Sequence, residues 1–384
     1  MAFEMRTAGT IHFGCGKAKE VGAIAAAMGK RALVVTGSHP KRVSSVLSNI
    51  GSFSLAHEIF CVSGEPTVTQ VQDAVNAAET LGADMVVAIG GGSVLDTGKA
   101  IAALIRNPGG ILQYLEIIGD GMPLINPSIP VIAIPTTSGT GSEVTRNAVI
   151  SSPEHRIKVS LRSPFMIPTV AIVDPELSVT LPPQITASTG MDAVVQLTEA
   201  FVSIKSNPFT DAICREGLKS AKQSIIQSYQ DGDCINARSD MALASLFGGL
   251  AFANAGLGAV HGFAGVIGGM FDVAHGALCA GLFPAVMRQN IEALQARQAD
   301  SLVLEKYREL SMILTGDHTA KLHDCIHWAE MVCSKMNIPA LNRYGIESAH
   351  IDRIVEDARS TSSMKCNPIM LADAELKKIL RRSL

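Results

Sequence analysis

Short apolar runs alternate with amphipathic stretches through the first half of the chain. The runs are RALVVTG from Arg31, DMVVAIGGG from Asp84, IPVIAIPTTSGTG from Ile129 and TVAIVDP from Thr169. Each is continuous, rich in Val, Ile or Ala, and bounded by turn-forming Gly, Pro or Asp, the pattern of a strand covered on both faces. Between the first two, Val71, Ala74, Val75, Ala78 and Leu81 recur at helical spacing within residues 69–81, which predicts an amphipathic helix. Strand, helix, strand alternation predicts an α/β fold, a doubly wound, Rossmann-like parallel sheet with helices on both sides. Ligands of such sheets sit beyond the carboxyl ends of the strands, where the glycine-rich turns cluster in this chain.

The pattern changes after Thr180-Leu181-Pro182-Pro183. The β-branched runs stop, and long helical patterns extend from Ile185 to the end, including residues 208–229 and 302–314. At 384 residues the chain exceeds the size at which one core usually stops growing. Two domains are therefore expected: an α/β dinucleotide-binding domain over residues 1–180 and an all-helical, metal-binding catalytic domain over residues 181–384. A cleft between two differently built lobes would follow. Residues 241–271 carry no Asp, Glu, Lys or Arg and are long enough to span a bilayer. Eight glycines, Asn254 and His261 within them favour closely packed buried helices over a membrane span.

Composition narrows the partners. Hydrophobic residues make up 47% of the chain against 17% charged, which describes a compact enzyme and not a disordered chain. The formal net charge is -3, and Lys41-Arg42 and Arg381-Arg382 are isolated pairs, so nucleic acid is not an expected partner. The eight cysteines form no C-x-x-C pair, and the N-terminus lacks a secretory pattern. Reduced thiols and a cytoplasmic location are expected.

Candidate chemistry gathers in three places. Gly90-Gly91-Gly92-Ser93 follows a strand and precedes a helix expected near Val94, the arrangement in which backbone N–H groups and a positive helix end receive a pyrophosphate. Taken alone, triple glycine is also compatible with a tight turn. A second loop, from Pro135 through Thr136, Thr137, Ser138, Gly139, Thr140, Gly141 and Ser142 to Glu143, supplies hydroxyls and glycines after another strand, which suits a polar cofactor. Asp192 and Gln196 lie four apart with Glu199 a further turn along, and His261 and His275 bracket what reads as a glycine-rich turn. A carboxylate, an amide oxygen and two imidazoles can hold one divalent ion, Fe2+ or Zn2+. Spacing alone leaves open that His261 is a hydrogen-bonded core residue.

GGGSVLDTGKA, PTTSGTGSEVT, VDPELSVTLPP, GMDAVVQLTEAF and ANAGLGAVH with AHG together resemble, in order and spacing, the iron-containing (group III) alcohol dehydrogenases over nearly the whole chain. The resemblance implies a dehydroquinate synthase-like architecture and a homodimer. It implies that Gly91, Gly92, Ser93 and Asp96 surround the cofactor pyrophosphate, and that Thr136, Thr137, Thr140 and Lys158 contact the nicotinamide half. It also implies Asp192, His261 and His275 as metal ligands that act in catalysis through the ion.

This chain departs from the family pattern at three positions. Gln196 stands where the family usually has a metal-binding histidine, and Gly265 where it has a histidine near the substrate. Gly37 stands where NAD-preferring members carry an acidic residue for the adenosine ribose, with Ser38, Lys41 and Arg42 close by. A ribose phosphate meets no repulsion there, which favours NADP over NAD.

The expected activity is metal-dependent hydride transfer between NAD(P)(H) and a small alcohol, aldehyde or ketone. A metal-independent reductase resembling maleylacetate reductase, or a dehydroquinate synthase-like lyase, are the alternatives.

Overall fold

The computed structural model describes residues 2–155 and 157–384. The chain divides into two compact units, one of Arg6–Val179 and one of Thr180–Leu384 together with residues 2–5, so the expected first domain loses its N-terminal residues to the helical unit.

In the first unit, a six-stranded parallel sheet is built from β1 (Thr10–Phe13), β2 (Arg31–Gly37), β3 (Ala56–Val62), β4 (Met85–Gly90), β5 (Val131–Pro135) and β8 (Val170–Val173). A separate antiparallel pair, β6 (Asn147–Ser152) and β7 (Ile157–Arg162), interrupts the order in sequence. The sheet order is β1-β8-β5-β4-β2-β3, so the chain reverses its direction of travel across the sheet between β2 and β4. Helices α1 (Val21–Met28), α2 (Ser44–Gly51), α3 (Val68–Leu81) and α4 (Gly92–Leu104) cover it. Leu33, Val35, Val86, Ala88, Val131 and Ala133 share one core with residues of α3 and α4. Their neighbours Ala32, Val34, Met85, Val87, Ile132 and Ile134 share another with residues of α1 and α2. This two-sided burial is why the central strands read as unbroken apolar runs.

Helix α3 starts at a reciprocal capping box between Thr67 and Gln70 and ends at Gly82, whose φ of 62° is left-handed. Helix α4 starts at Gly92, with Gly91 as its N-cap, ahead of the start expected near Val94. Glycine's low helix propensity hides the true start, and the packing described below overrides it. No continuous apolar run signals β3, whose burial is broken by exposed positions at the sheet edge.

The second unit is helical: α5 (Pro183–Val202), α6 (Pro208–Gln230), α7 (Ile235–Ala255), α8 (Ala259–Met270), α9 (His275–Arg297), α10 (Leu302–Thr315), α11 (Asp324–Lys335), α12 (Ile351–Ala358) and α13 (Asp373–Ser383). Helix α5 is buried almost all round, because α6, α7 and α9 pack against it. The uncharged stretch 241–271 divides into α7 and α8, bent by 100°. Among the described residues, no single helix is long and apolar enough to cross a membrane. The segment between His261 and His275, expected as a turn, is mostly the body of α8. Its glycines lie within a helix held by apolar neighbours such as Phe263 and Ile267, whose burial outweighs their propensity cost.

Candidate metal centre and cofactor loops

The carboxyl ends of β2 and β4 are neighbours, with Thr36 in register with Ile89. This is the point where strand order reverses, and where open α/β sheets bind ligands. Gly37 ends β2, and an added Cβ there meets nothing within 4 Å. Ser38, Lys41 and Arg42 beyond it are exposed. Gly90 ends β4, and Gly91 caps α4 with no side-chain hydrogen bond, so the positive end of α4 is open to an anion.

The second loop is packed against the first. Thr136 donates its backbone N–H to the Gly90 carbonyl at 3.0 Å. A Cβ on Gly92 would sit 2.8 Å from Thr140 Cγ2. Thr140 therefore fixes glycine at this position by packing, whether or not a phosphate approaches it.

Beneath these loops lies a buried ionic tie. Lys99, fully buried, is 3.0 Å from Asp96 and donates to Ser142 O at 3.1 Å, Thr145 Oγ1 at 3.1 Å and Asn147 O at 2.5 Å. Asp96 also accepts from Ser142 Oγ at 2.5 Å and from the Val149 N–H at 2.8 Å. Asp96, expected around the pyrophosphate, is thus engaged in holding residues 142–149 to α4. Lys158, expected at the nicotinamide half, lies on β7 with its Nζ 3.3 Å from Glu65. Glu143 is buried, and burial lifts its carboxyl to about 7, its own backbone N–H and Lys99 opposing only in part.

In the helical unit, α5, α8 and α9 bring together one oxygen of Asp192, one nitrogen each of His261 and His275, and Cys279 Sγ, all within 4.8 Å of one another. His261 Nε2 is 3.3 Å from Asp192 Oδ1, and His275 Nε2 is 3.9 Å from it. The His261 and Asp192 side chains are buried, and His275 is 36% exposed, so the cluster borders solvent on that side.

Glu199 sets the orientation of His261. It accepts from His261 Nδ1 at 2.7 Å and from the backbone N–H groups of Gly258 at 2.9 Å and Val260 at 2.7 Å. The carboxylate holds the first turn of α8 and leaves Nε2 facing the other donors, the outer-shell arrangement usual for metal-binding histidine. Burial opposes ionisation of Asp192, but the hydrogen bond from His261 and the nearby His275 hold its carboxyl below the usual range. Burial likewise opposes charge on His261, and Cys279 and Asp192 more than offset it, raising that imidazole well above its ordinary value. The local field favours positive charge, and this donor set fits a divalent ion.

Gln196 lies one turn beyond Asp192 on α5. Its Oε1 is buried without a hydrogen-bond partner, 3.2 Å from where a Cβ on Gly248 would lie. Gly265, four residues after His261 on α8, has open space at its Cβ position. Cys279 was not singled out from the sequence. Its signal was there, four residues after His275 and so one turn along the same helix face.

A sheet of the dinucleotide-binding kind and a carboxylate, imidazole and thiol cluster in one chain are the parts of a metal-assisted, nicotinamide-dependent oxidoreductase. The family model for iron-containing alcohol dehydrogenase matches residues 8–175, and that for the C-terminal part of the Fe-containing alcohol dehydrogenase family matches residues 186–384. The chain belongs to this family and is an alcohol oxidoreductase.

It is 33% identical to 1,3-propanediol dehydrogenase of Citrobacter freundii over 362 residues, 92% of each chain. It is also 33% identical to the NAD-dependent methanol dehydrogenase of Bacillus methanolicus over 378 residues, 97% of each. A crystal structure of 1,3-propanediol oxidoreductase superposes with a TM-score of 0.92 at 30% identity, covering 100% of both chains.

Proposed function

We propose that this chain is an NADP-preferring alcohol dehydrogenase or aldehyde reductase, dependent on one divalent ion held by Asp192, His261 and His275. The observation that carries the reading is the convergence of those side chains from α5, α8 and α9 on one small volume. An ion bound there supplies Lewis-acid polarisation of a substrate oxygen. Glu199 holds His261 in the tautomer and orientation that present Nε2. Asp192 supplies negative charge where a cation is needed, and the exposed flank at His275 leaves a side for a small substrate.

On the sheet, the open end of α4 receives the cofactor pyrophosphate, and Thr136, Thr137 and Thr140 line the adjoining loop. The absence of an acid at Gly37, with Ser38, Lys41 and Arg42 exposed beyond it, supports the extra ribose phosphate of NADP. The nicotinamide ring is the hydride donor or acceptor.

Purified protein is stripped with a chelator, verified metal-free, and assayed with NADPH and a panel of small aldehydes before and after Fe2+ or Zn2+ is returned. Activity that falls on stripping and recovers on add-back is expected. Full activity in the metal-free protein rejects the role of the ion.

A further inference from the structure

We propose that Cys279, as a thiolate, is the fourth protein ligand of this ion, and that the resulting donor set of one sulfur, one carboxylate and two imidazoles selects zinc over ferrous iron. The proposal rests on the metal-dependent reading above. Cys279 Sγ lies 3.6 Å from His275 Nε2 and 3.8 Å from His261 Nε2. A tetrahedral ion with bonds of about 2.0–2.1 Å to nitrogen or oxygen and about 2.3 Å to sulfur separates nitrogen from sulfur by about 3.6 Å and nitrogen from oxygen by about 3.3 Å. The 3.3 Å between His261 and Asp192 and the 3.6 Å between His275 and Cys279 match those edges, and the separations of 3.8 Å between His261 and Cys279 and 3.9 Å between His275 and Asp192 are longer than them.

The Cys279 thiol is fully buried, and Asp192 and Glu199 are 2% and 4% exposed. Those two carboxylates, Glu199 acting through its hydrogen bond to His261, already offset the charge of a divalent ion, so what singles out the thiol is its position beside both imidazole nitrogens. The thiol proton leaves to solvent as the sulfur–metal bond forms, with no change of oxidation state. Cys279 Sγ lies beside both imidazole nitrogens, while Gln196 Oε1 is buried near Gly248 on α7 without a hydrogen-bond partner. Thiolate is a soft donor, which favours zinc.

Full-length protein is stripped and loaded with Co2+, which reports sulfur ligation through an intense near-ultraviolet charge-transfer band. The band is expected in the wild type and in Gln196→Ala, and is expected to be lost in Cys279→Ser. That variant should raise the zinc dissociation constant by more than the roughly 10–100-fold that loss of an outer-shell partner costs.

X-ray absorption on the zinc-loaded wild type needs no variant and should show one sulfur at about 2.3 Å. Bound cobalt without the band, a band that survives in Cys279→Ser, or a zinc shell without sulfur overturns the ligand assignment while the metal reading stands. Equal retention of Fe2+ and Zn2+ in direct competition overturns the selectivity. Failure of the wild type to bind any of these ions removes both readings.

Discussion

At the scale of single residues, two positions carry predictions. Gly37 ends β2 with open space at its Cβ position, so Gly37→Asp fits without strain and places a carboxylate where NADP would bring its ribose phosphate. Like charges brought together cost several kcal/mol. The ratio of kcat/KM for NADP to that for NAD should therefore fall by about 10–100-fold, roughly 1.4–2.8 kcal/mol. A wild type that favours NAD, or a ratio unmoved by the substitution, removes the NADP assignment.

Glu143 is a different case, because its effect runs through stability. Its carboxyl is near 7 in the fold against 4.5 when free. Between those values the folded chain holds the extra proton, so stability is highest at the acid side of the window and declines as pH rises through it. The full decline attributable to this group is about 3 kcal/mol. Glu143→Gln should flatten the dependence of the urea midpoint on pH across about pH 5–8. An unchanged slope would show that Glu143 ionises freely within the fold.

Between elements, the metal cluster depends on how closely α9 approaches α5. A Cβ on Gly276 would lie 2.0 Å from the Ser188 carbonyl oxygen and 3.3 Å from Asp192 Cβ. Only a residue without a side chain lets the first turn of α9 reach the turn of α5 that bears Asp192. Gly276→Ala should push the helices apart, cost about 1–3 kcal/mol by overpacking, and lower metal stoichiometry by moving His275 and Cys279 away from Asp192. Urea denaturation in chelator reads the first effect and elemental analysis the second. Normal metal content with an unchanged midpoint would show that the helices reach each other some other way.

This contact also marks where sequence reading stops. The central strands and the helices at 68–81, 208–230 and 302–315 were legible because one face or both faces are buried along their whole length. His275 and Cys279 share a helix face by spacing alone, but which residue of α5 meets them is set by Gly276 against Ser188, a long-range fit that periodicity does not encode. The β6–β7 hairpin was missed for a related reason. Its strands run over only six residues each, β6 alternating half-buried and buried positions and β7 burying only Val159 and Leu161, too short beside the apolar runs to stand out. The Asp96–Lys99 tie was visible as an i,i+3 pair, yet its hold on residues 142–149 was not.

Across the whole molecule, the two kinds of chemistry fall in separate compact units. The loops after β2, β4 and β5, proposed to bind the cofactor, belong to Arg6–Val179, and the Asp192, His261, His275 and Cys279 cluster to Thr180–Leu384. A ligand stabilises the structure it binds by RT ln(1 + [L]/Kd), about 2.7 kcal/mol at a hundredfold excess over Kd. Zinc should thus deepen amide hydrogen-exchange protection in α5, α8 and α9, the three helices whose side chains it would join.

NADP should act on the first turn of α4 and on the Pro135–Glu143 loop, whose N–H groups it would engage. The Lys99 tie beneath that loop is already closed within the protein, so its protection should change little with either ligand. Exchange measured on the metal-free protein, then with zinc, then with NADP, separates these effects. Zinc that protects the loops after β4 and β5 as strongly as α5 would mean that the units share their response to metal, and that the division of labour read from their side chains does not extend to their energetics.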